Sequence, residues 1–132
     1  ESGADVSRVI MGHLDRTVAD FDNLCRLAST GCYLEWDLFG NESSYYPLSD
    51  IDMPSDAQRM DTIKRIIESE GCGERVVIAH DICTKHRLVK YGGHGYGHIL
   101  ENIVPRMRRK GFTEEQVHAI TAGNPASVLS FV

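Results

Sequence analysis

No run of apolar residues in this sequence approaches the roughly 18 that a membrane-spanning helix needs, and no secretory leader pattern opens it. A membrane partner is therefore not expected. No basic arm or stripe is present either. Lysine and arginine number 14 against 19 aspartates and glutamates, a net charge of −5, so no nucleic-acid partner is expected. The one local basic group, Arg106, Arg108, Arg109 and Lys110, reads as the polar end of a helix. Cys25, Cys32, Cys72 and Cys83 make no C-x-x-C pair and no disulfide-framework spacing. Without a leader they are expected to be reduced thiols in a cytoplasmic protein. No internal repeat, low-complexity tract or interdomain linker interrupts the chain.

What is present is ordinary globular material. The 132 residues are 42% hydrophobic and 25% charged, enough for one domain with a core, or for a piece of a larger one. The first residue is Glu1, not Met, which reads as a processed start or a fragment. Residues 1–132 are taken as a single partial domain.

Apolar strands alternate with helical patterns. VSRVIM, 6 to 11, is expected as the first strand, and a helix follows from Asp20 to Thr30 with Phe21, Leu24, Leu27 and Ala28 on one face. CYLEWDL, 32 to 38, is the second strand, and a polar loop runs from Phe39 to Pro54. Ser55 is placed to cap a helix whose stripe is Met60, Ile63, Ile66 and Ile67, ending at Gly71. The third strand begins VVIA at Val76 and ends on His80 and Asp81. A glycine-rich loop from Thr84 to Gly97 leads to a helix over His98 to Arg109, with a kink expected at Pro105. Thr113 and Gln116 form a capping box for a short helix ending near Ala122, and Asn124 and Pro125 are expected as N-cap and N1 of the last.

Strands alternating with helices imply parallel pairing and right-handed crossovers. Three parallel strands alone leave two edges open, so the fold class is α/β, part of an open doubly wound sheet or of a (β/α) barrel. In both, chemistry gathers at the C-terminal ends of strands. His13 ends the first strand as Asp81 ends the third. An imidazole and a carboxylate offered from strand ends form half of a zinc site, and a carboxylate beside an acidified water can carry its proton. Taken singly, His13 is more often a structural hydrogen-bonder than a ligand, and Asp81 more often a turn cap. Alternation sends His80 to the opposite face from Asp81, which makes His80 structural.

Several strings then carry a resemblance. MGHLDRT (11 to 17), GCYLEWDLFG (31 to 40), VVIAHD (76 to 81), KYGGHGYGHI (90 to 99) and ITAGNPASVLSF (120 to 131) resemble the C-terminal part of the phosphotriesterase family of the amidohydrolase superfamily, in its phosphotriesterase-related branch. The resemblance covers essentially the whole chain. It implies a (β/α)8 TIM barrel with two metal ions at its mouth, of which this chain would supply strands 6 to 8 and their helices. His13 would be the strand-6 histidine ligand and Asp81 the strand-8 aspartate, ligand and proton shuttle together. No His-x-His pair and no lysine-bearing strand precede His13 in the sequence. Members that degrade organophosphates carry an acidic residue three places after the strand-6 histidine and a histidine late on strand 7. Here those positions hold Arg16 and Leu38, which turns the expectation from phosphotriesters to an amide, lactone or ester.

The resemblance therefore implies a zinc-dependent hydrolase, with other divalent metals open, acting on a small molecule such as an N-acyl amino acid or N-acyl taurine. Arg16 could hold an anionic substrate group, or pair with Glu35 or Asp37 on the next strand. Tyr91, His94 and Tyr96 on the glycine-rich loop are candidate substrate contacts, or parts of an ordinary connection. His94 and His98 stand four apart but among glycines, which argues against a helical metal pair. His86 and His118 read as surface residues. The other class of reading is a catalytically incomplete fragment whose partner is the missing N-terminal part of the barrel. Either class leaves room for a homo-oligomer.

Overall fold

The computed structural model describes residues 3–43, 46 and 50–131, so the loop expected from Phe39 to Pro54 lies partly outside the described residues. Three parallel strands form one sheet in the order of the sequence: β1 (Ile10–Met11), β2 (Tyr33–Trp36) and β3 (Val76–Ile78). The register sets Ile10 beside Tyr33, Leu34 beside Val76 and Trp36 beside Ile78. Among the described residues six α-helices accompany them: α1 (Leu14–Thr17), α2 (Phe21–Ala28), α3 (Asp56–Glu70), α4 (Val104–Arg109), α5 (Glu114–His118) and α6 (Asn124–Leu129).

Alternation along β2 decides which face carries the core. Leu34 and Trp36 point to one side with Val76 and are almost wholly buried, together with Leu24, Met60, Ile63, Ile66, Ile103, Met107 and Ile120 from the helices. A fully buried aliphatic side chain of this kind contributes about 1.5–3 kcal/mol. Tyr33 and Val77 point to the other side and meet Val128 of α6 in a small second cluster. Glu35 and Asp37 share that second face, opposite the main core, which in a barrel is the interior.

Local chemistry explains most element ends. Ser55 and Gln58 form a full capping box at the start of α3, and Gly71 ends it in the left-handed region at φ 63°. Thr113 and Gln116 do the same for α5, as expected. Asp20 caps α2 through the Asp22 amide.

Three expectations are corrected. Residues 6 to 11 are not one strand. The Asp5 carboxylate accepts from the Ser7 amide at 3.0 Å and the Val9 amide returns to the Val6 carbonyl at 3.1 Å, so Val6–Arg8 closes as a 3-10 turn before the strand begins. The helix expected over His98 to Arg109 opens with a π turn, Ile99–Ile103, in which the Val104 amide reaches back to the Ile99 carbonyl. The widened ladder leads directly into Pro105, which has no N–H to contribute. The same device recurs at Ala119–Gly123 before Pro125, so α5, that π turn and α6 run on without a break. Asn124 is therefore not an N-cap. Its backbone is helical, and its buried side-chain amide donates to the carbonyls of Gly73 at 2.8 Å and Val76 at 2.7 Å, pinning α6 to the base of β3.

The four cysteines are all free thiols. Among the described residues no helix is long and apolar enough to cross a membrane.

Candidate active site at the carboxyl ends of the strands

Gly12 carries the chain from β1 past β2 at close range: a Cβ there would meet Glu35 Oε2 at 3.0 Å and Asp37 Oδ2 at 3.3 Å. His13 follows with φ 58° and ψ 29°, in the left-handed region. Asp81, at the end of β3, has φ 45°. These two are the only non-glycine residues with positive φ among those described, and they are the two proposed as metal ligands from the sequence. For residues with a Cβ this conformation is unfavourable, and it persists where the surroundings hold it.

Asp37 holds His13 twice. Its Oδ2 accepts the His13 amide at 3.1 Å, and its Oδ1 accepts Nδ1–H at 2.8 Å. In the neutral ring that places the proton on Nδ1 and leaves Nε2 as the lone-pair nitrogen. Carboxylates crowd the same corner. Burial pushes the Glu35 carboxyl above the usual range, the negative charges of Asp37, Asp15 and Asp81 push the same way, and His13 offsets them in part. The Asp15 side chain is wholly buried, and burial raises its carboxyl too, against the pull of Arg59.

The donor set suits a divalent metal in part. An oriented imidazole and a carboxylate are present, with a carboxylate behind the imidazole. Among the described residues no group of three or more histidine, cysteine or acidic side chains is placed to hold an ion.

A cavity of about 450 Å³ opens beside Asp81, lined by Arg16, Leu38, Met53, Cys83 and His86 among others, and His13 does not line it. Arg16 and Asp81 thus share one cavity. The ion pair weighed for Arg16 with Glu35 or Asp37 does not form. Its guanidinium instead donates to the Tyr46 hydroxyl, lies 4.9 Å from the centre of that ring, and leaves its buried Nε without a partner among the described residues. Tyr91, His94 and Tyr96 do not line the cavity. Tyr91 and Tyr96 are exposed, Lys85 and Lys90 sit over the Tyr91 ring, and His94 stacks on His98 with ring centres 4.1 Å apart. A second cavity of about 390 Å³, between α1 and α3, is lined by neither His13 nor Asp81.

β3 ends at Ile78, so strand alternation does not reach His80 or Asp81; the His80 Nε2 accepts the Ile99 amide at 3.1 Å. His86 and His118 are exposed. His98 is not a free ligand: its Nε2 bonds Asp56 at 2.7 Å and its Nδ1 meets the Asn102 amide at 3.1 Å.

Sequence reasoning missed the scaffolding behind the site. Arg59 bonds Asp15, Asp56 and the Asn41 carbonyl, each at 2.8 Å, and Asp15 also accepts the Leu38 amide at 3.1 Å. Arg87 bonds the Asp81 and Phe39 carbonyls. Asp37 was legible as a face partner of Glu35, but its bond to His13 depends on the register between two strands. No pattern in the sequence marks Arg59 or Arg87, because arginines are rarely buried.

Comparison with known proteins places this geometry. The phosphotriesterase family model matches residues 1–129. The N-acetyltaurine hydrolase of Dictyostelium discoideum is 53% identical over 133 residues, covering 100% of this chain and 36% of its own length. The human N-acetyltaurine hydrolase is 52% identical, covering 99% of this chain and 38% of its own. Among solved structures, the phosphotriesterase homology protein of Escherichia coli, described with phosphate in its active site, superposes with a TM-score of 0.79 at 30% identity, over 95% of this chain and 39% of that one. The chain thus spans little more than a third of the length of these relatives, and its three strands are part of a TIM barrel. On the match of the family model over nearly all its residues, the chain belongs to the phosphotriesterase family.

Proposed function

We propose that this chain is the part of a metal-dependent hydrolase that supplies a histidine ligand, His13, and an aspartate, Asp81, that serves as ligand and proton carrier. The observation that carries the reading is the backbone: among the described residues these are the two non-glycines held in the left-handed region, and each lies past the carboxyl end of a strand. Zinc, two ions in the complete centre, would supply a water acidified toward a pKa of about 7 and a Lewis acid for the substrate carbonyl.

The chain's own residues do the rest. Asp37 keeps the His13 proton on Nδ1, so that Nε2 is the lone-pair donor. Asp81 takes the proton of the attacking water and returns it to the leaving amine or alcohol. Arg16, in the same cavity as Asp81, holds an anionic group of the substrate. An amide, lactone or ester is favoured, and an N-acyl amino acid or N-acyl taurine suits both the cavity's arginine and the names of the relatives. Tyr91, His94 and Tyr96 stay in the reading as contacts for a substrate long enough to leave the cavity.

In the polypeptide that carries this chain, His13→Ala and Asp81→Asn are expected to lower hydrolysis of N-acetyltaurine by at least about a hundredfold while the thermal transition is retained. Wild-type turnover in either variant defeats the assignment. A second reading is favoured by the lack, among the described residues, of three or more side chains grouped to hold an ion: by itself the chain is catalytically incomplete and acts through association with the rest of a barrel. Zinc titration of the isolated 132-residue chain separates the two, since stoichiometric binding with turnover contradicts the second.

A further inference from the structure

We infer that Arg87 is a positioning residue for Asp81: its buried guanidinium clamps the backbone turn from which the Asp81 carboxylate is offered. This rests on the assignment of Asp81 made above. Arg87 is only 8% exposed although it stands in a loop. Its Nη1 donates to the Asp81 carbonyl at 2.8 Å and its Nη2 to the Phe39 carbonyl at 3.0 Å. One planar fork thus ties the third residue past β3 to the third residue past β2, across two neighbouring strand ends.

The glycine-rich loop is built around that fork. The Gly95 amide donates to the Arg87 carbonyl at 2.9 Å, and the Gly93 amide to the Leu88 carbonyl at 3.1 Å. A Cβ on Gly93 would stand 2.2 Å from the Arg87 carbonyl carbon, so only glycine lets the loop close over Arg87. These glycines serve close packing, and the loop they make holds the arginine still.

Both bonds given for Arg87 end on neutral carbonyls, a costly use of a buried cation where only packing is needed. It is intelligible where a left-handed aspartate must be kept from relaxing. Rotation of Asp81 back to an ordinary conformation would redirect its carbonyl and its side chain together.

The test is zinc affinity, by competition with a chromophoric chelator, together with N-acetyltaurine turnover and thermal melting, in the polypeptide that carries this chain. Arg87→Gln, which cannot bridge both carbonyls, is expected to bind zinc about ten- to a hundredfold more weakly and to lose kcat with little change in KM. Arg87→Lys keeps the cation and can reach one carbonyl, so its loss should be smaller, with a wild-type melt. Wild-type zinc affinity in both variants overturns the inference. So does unfolding of both, which assigns Arg87 to the fold alone. Asp81→Asn runs beside them. If it binds zinc and turns over normally, the assignment of Asp81 itself fails. If it loses both while the Arg87 variants do not, only the clamp fails.

Discussion

Arg59 has none of its side chain exposed, and neither has Asp15, its partner at 2.8 Å; Asp56, the other partner at 2.8 Å, is 1% exposed. Its third bond goes to the Asn41 carbonyl. Asp56 in turn accepts from the Gly40 amide and from His98. One buried cation therefore joins the turn after His13, the segment after β2 and the start of α3. Such a group adds little net stability when complete, but its removal leaves two carboxylates without their cation in a dry interior. Arg59→Ala is expected to lower stability by about 3–5 kcal/mol, read as a shift of the denaturant midpoint at unchanged slope. A shift below about 1 kcal/mol would mean that water reaches Asp15 and Asp56, contrary to their burial. The positions of His13 and Asp81 just past strands were legible because the apolar runs stop there. Arg59 and Arg87 were not, because burial of an arginine depends on partners 44 and 48 residues away in sequence.

Among the elements, ends set by local chemistry were readable and ends set by distant packing were not. The Ser55 cap, the Thr113–Gln116 box and the Gly71 stop involve residues three or four apart, so the sequence alone contains them. Ser55→Ala removes the acceptor of the Gln58 amide and frees its reciprocal partner, and should cost about 1 kcal/mol by thermal or denaturant unfolding, with Ser55→Gly costing less. The π turns before Pro105 and Pro125 were foreseen only as a kink and a break. A proline announces that the ladder must change, but whether the helix bends, stops or widens is decided by what packs against it. Asn124 shows the cost of that ambiguity. Asn before Pro reads as an N-cap, yet two carbonyls at the base of β3 claim the side chain and the helix runs through. The first strand failed for a similar reason, since Asp5 offers the Ser7 amide a nearer partner than any neighbouring strand.

At the scale of the whole molecule, acid should weaken the fold in two stages that different residues control. His80 joins the end of β3 to the π turn by accepting the Ile99 amide on Nε2, a bond that protonation of that nitrogen abolishes. Burial lowers its pKa below 6.5, and the charges of His98 and Arg87 lower it further. The unfolded chain therefore takes up a proton that the folded chain refuses, and stability present above pH 6.5 is lost as pH falls toward the folded value. Asp56 acts lower on the scale. Burial would raise its carboxyl, but the bonds from His98 and Gly40 and the charge of Arg59 prevail and hold it below 3.8, so its contribution is present above 3.8 and disappears below that. Asp15 and Glu35, raised by burial, oppose this trend, since their contribution is greatest in acid and fades as pH rises through their folded values. A single pH profile therefore mixes signs, and the comparison must be between variants. His80→Gln keeps an acceptor for Ile99 but cannot be protonated, so its denaturant midpoint should fall less steeply than the wild type's between pH 6.5 and 5, while the two profiles run parallel above pH 7. Parallel profiles through the whole range would remove His80 from the acid response and leave the carboxylates to account for it.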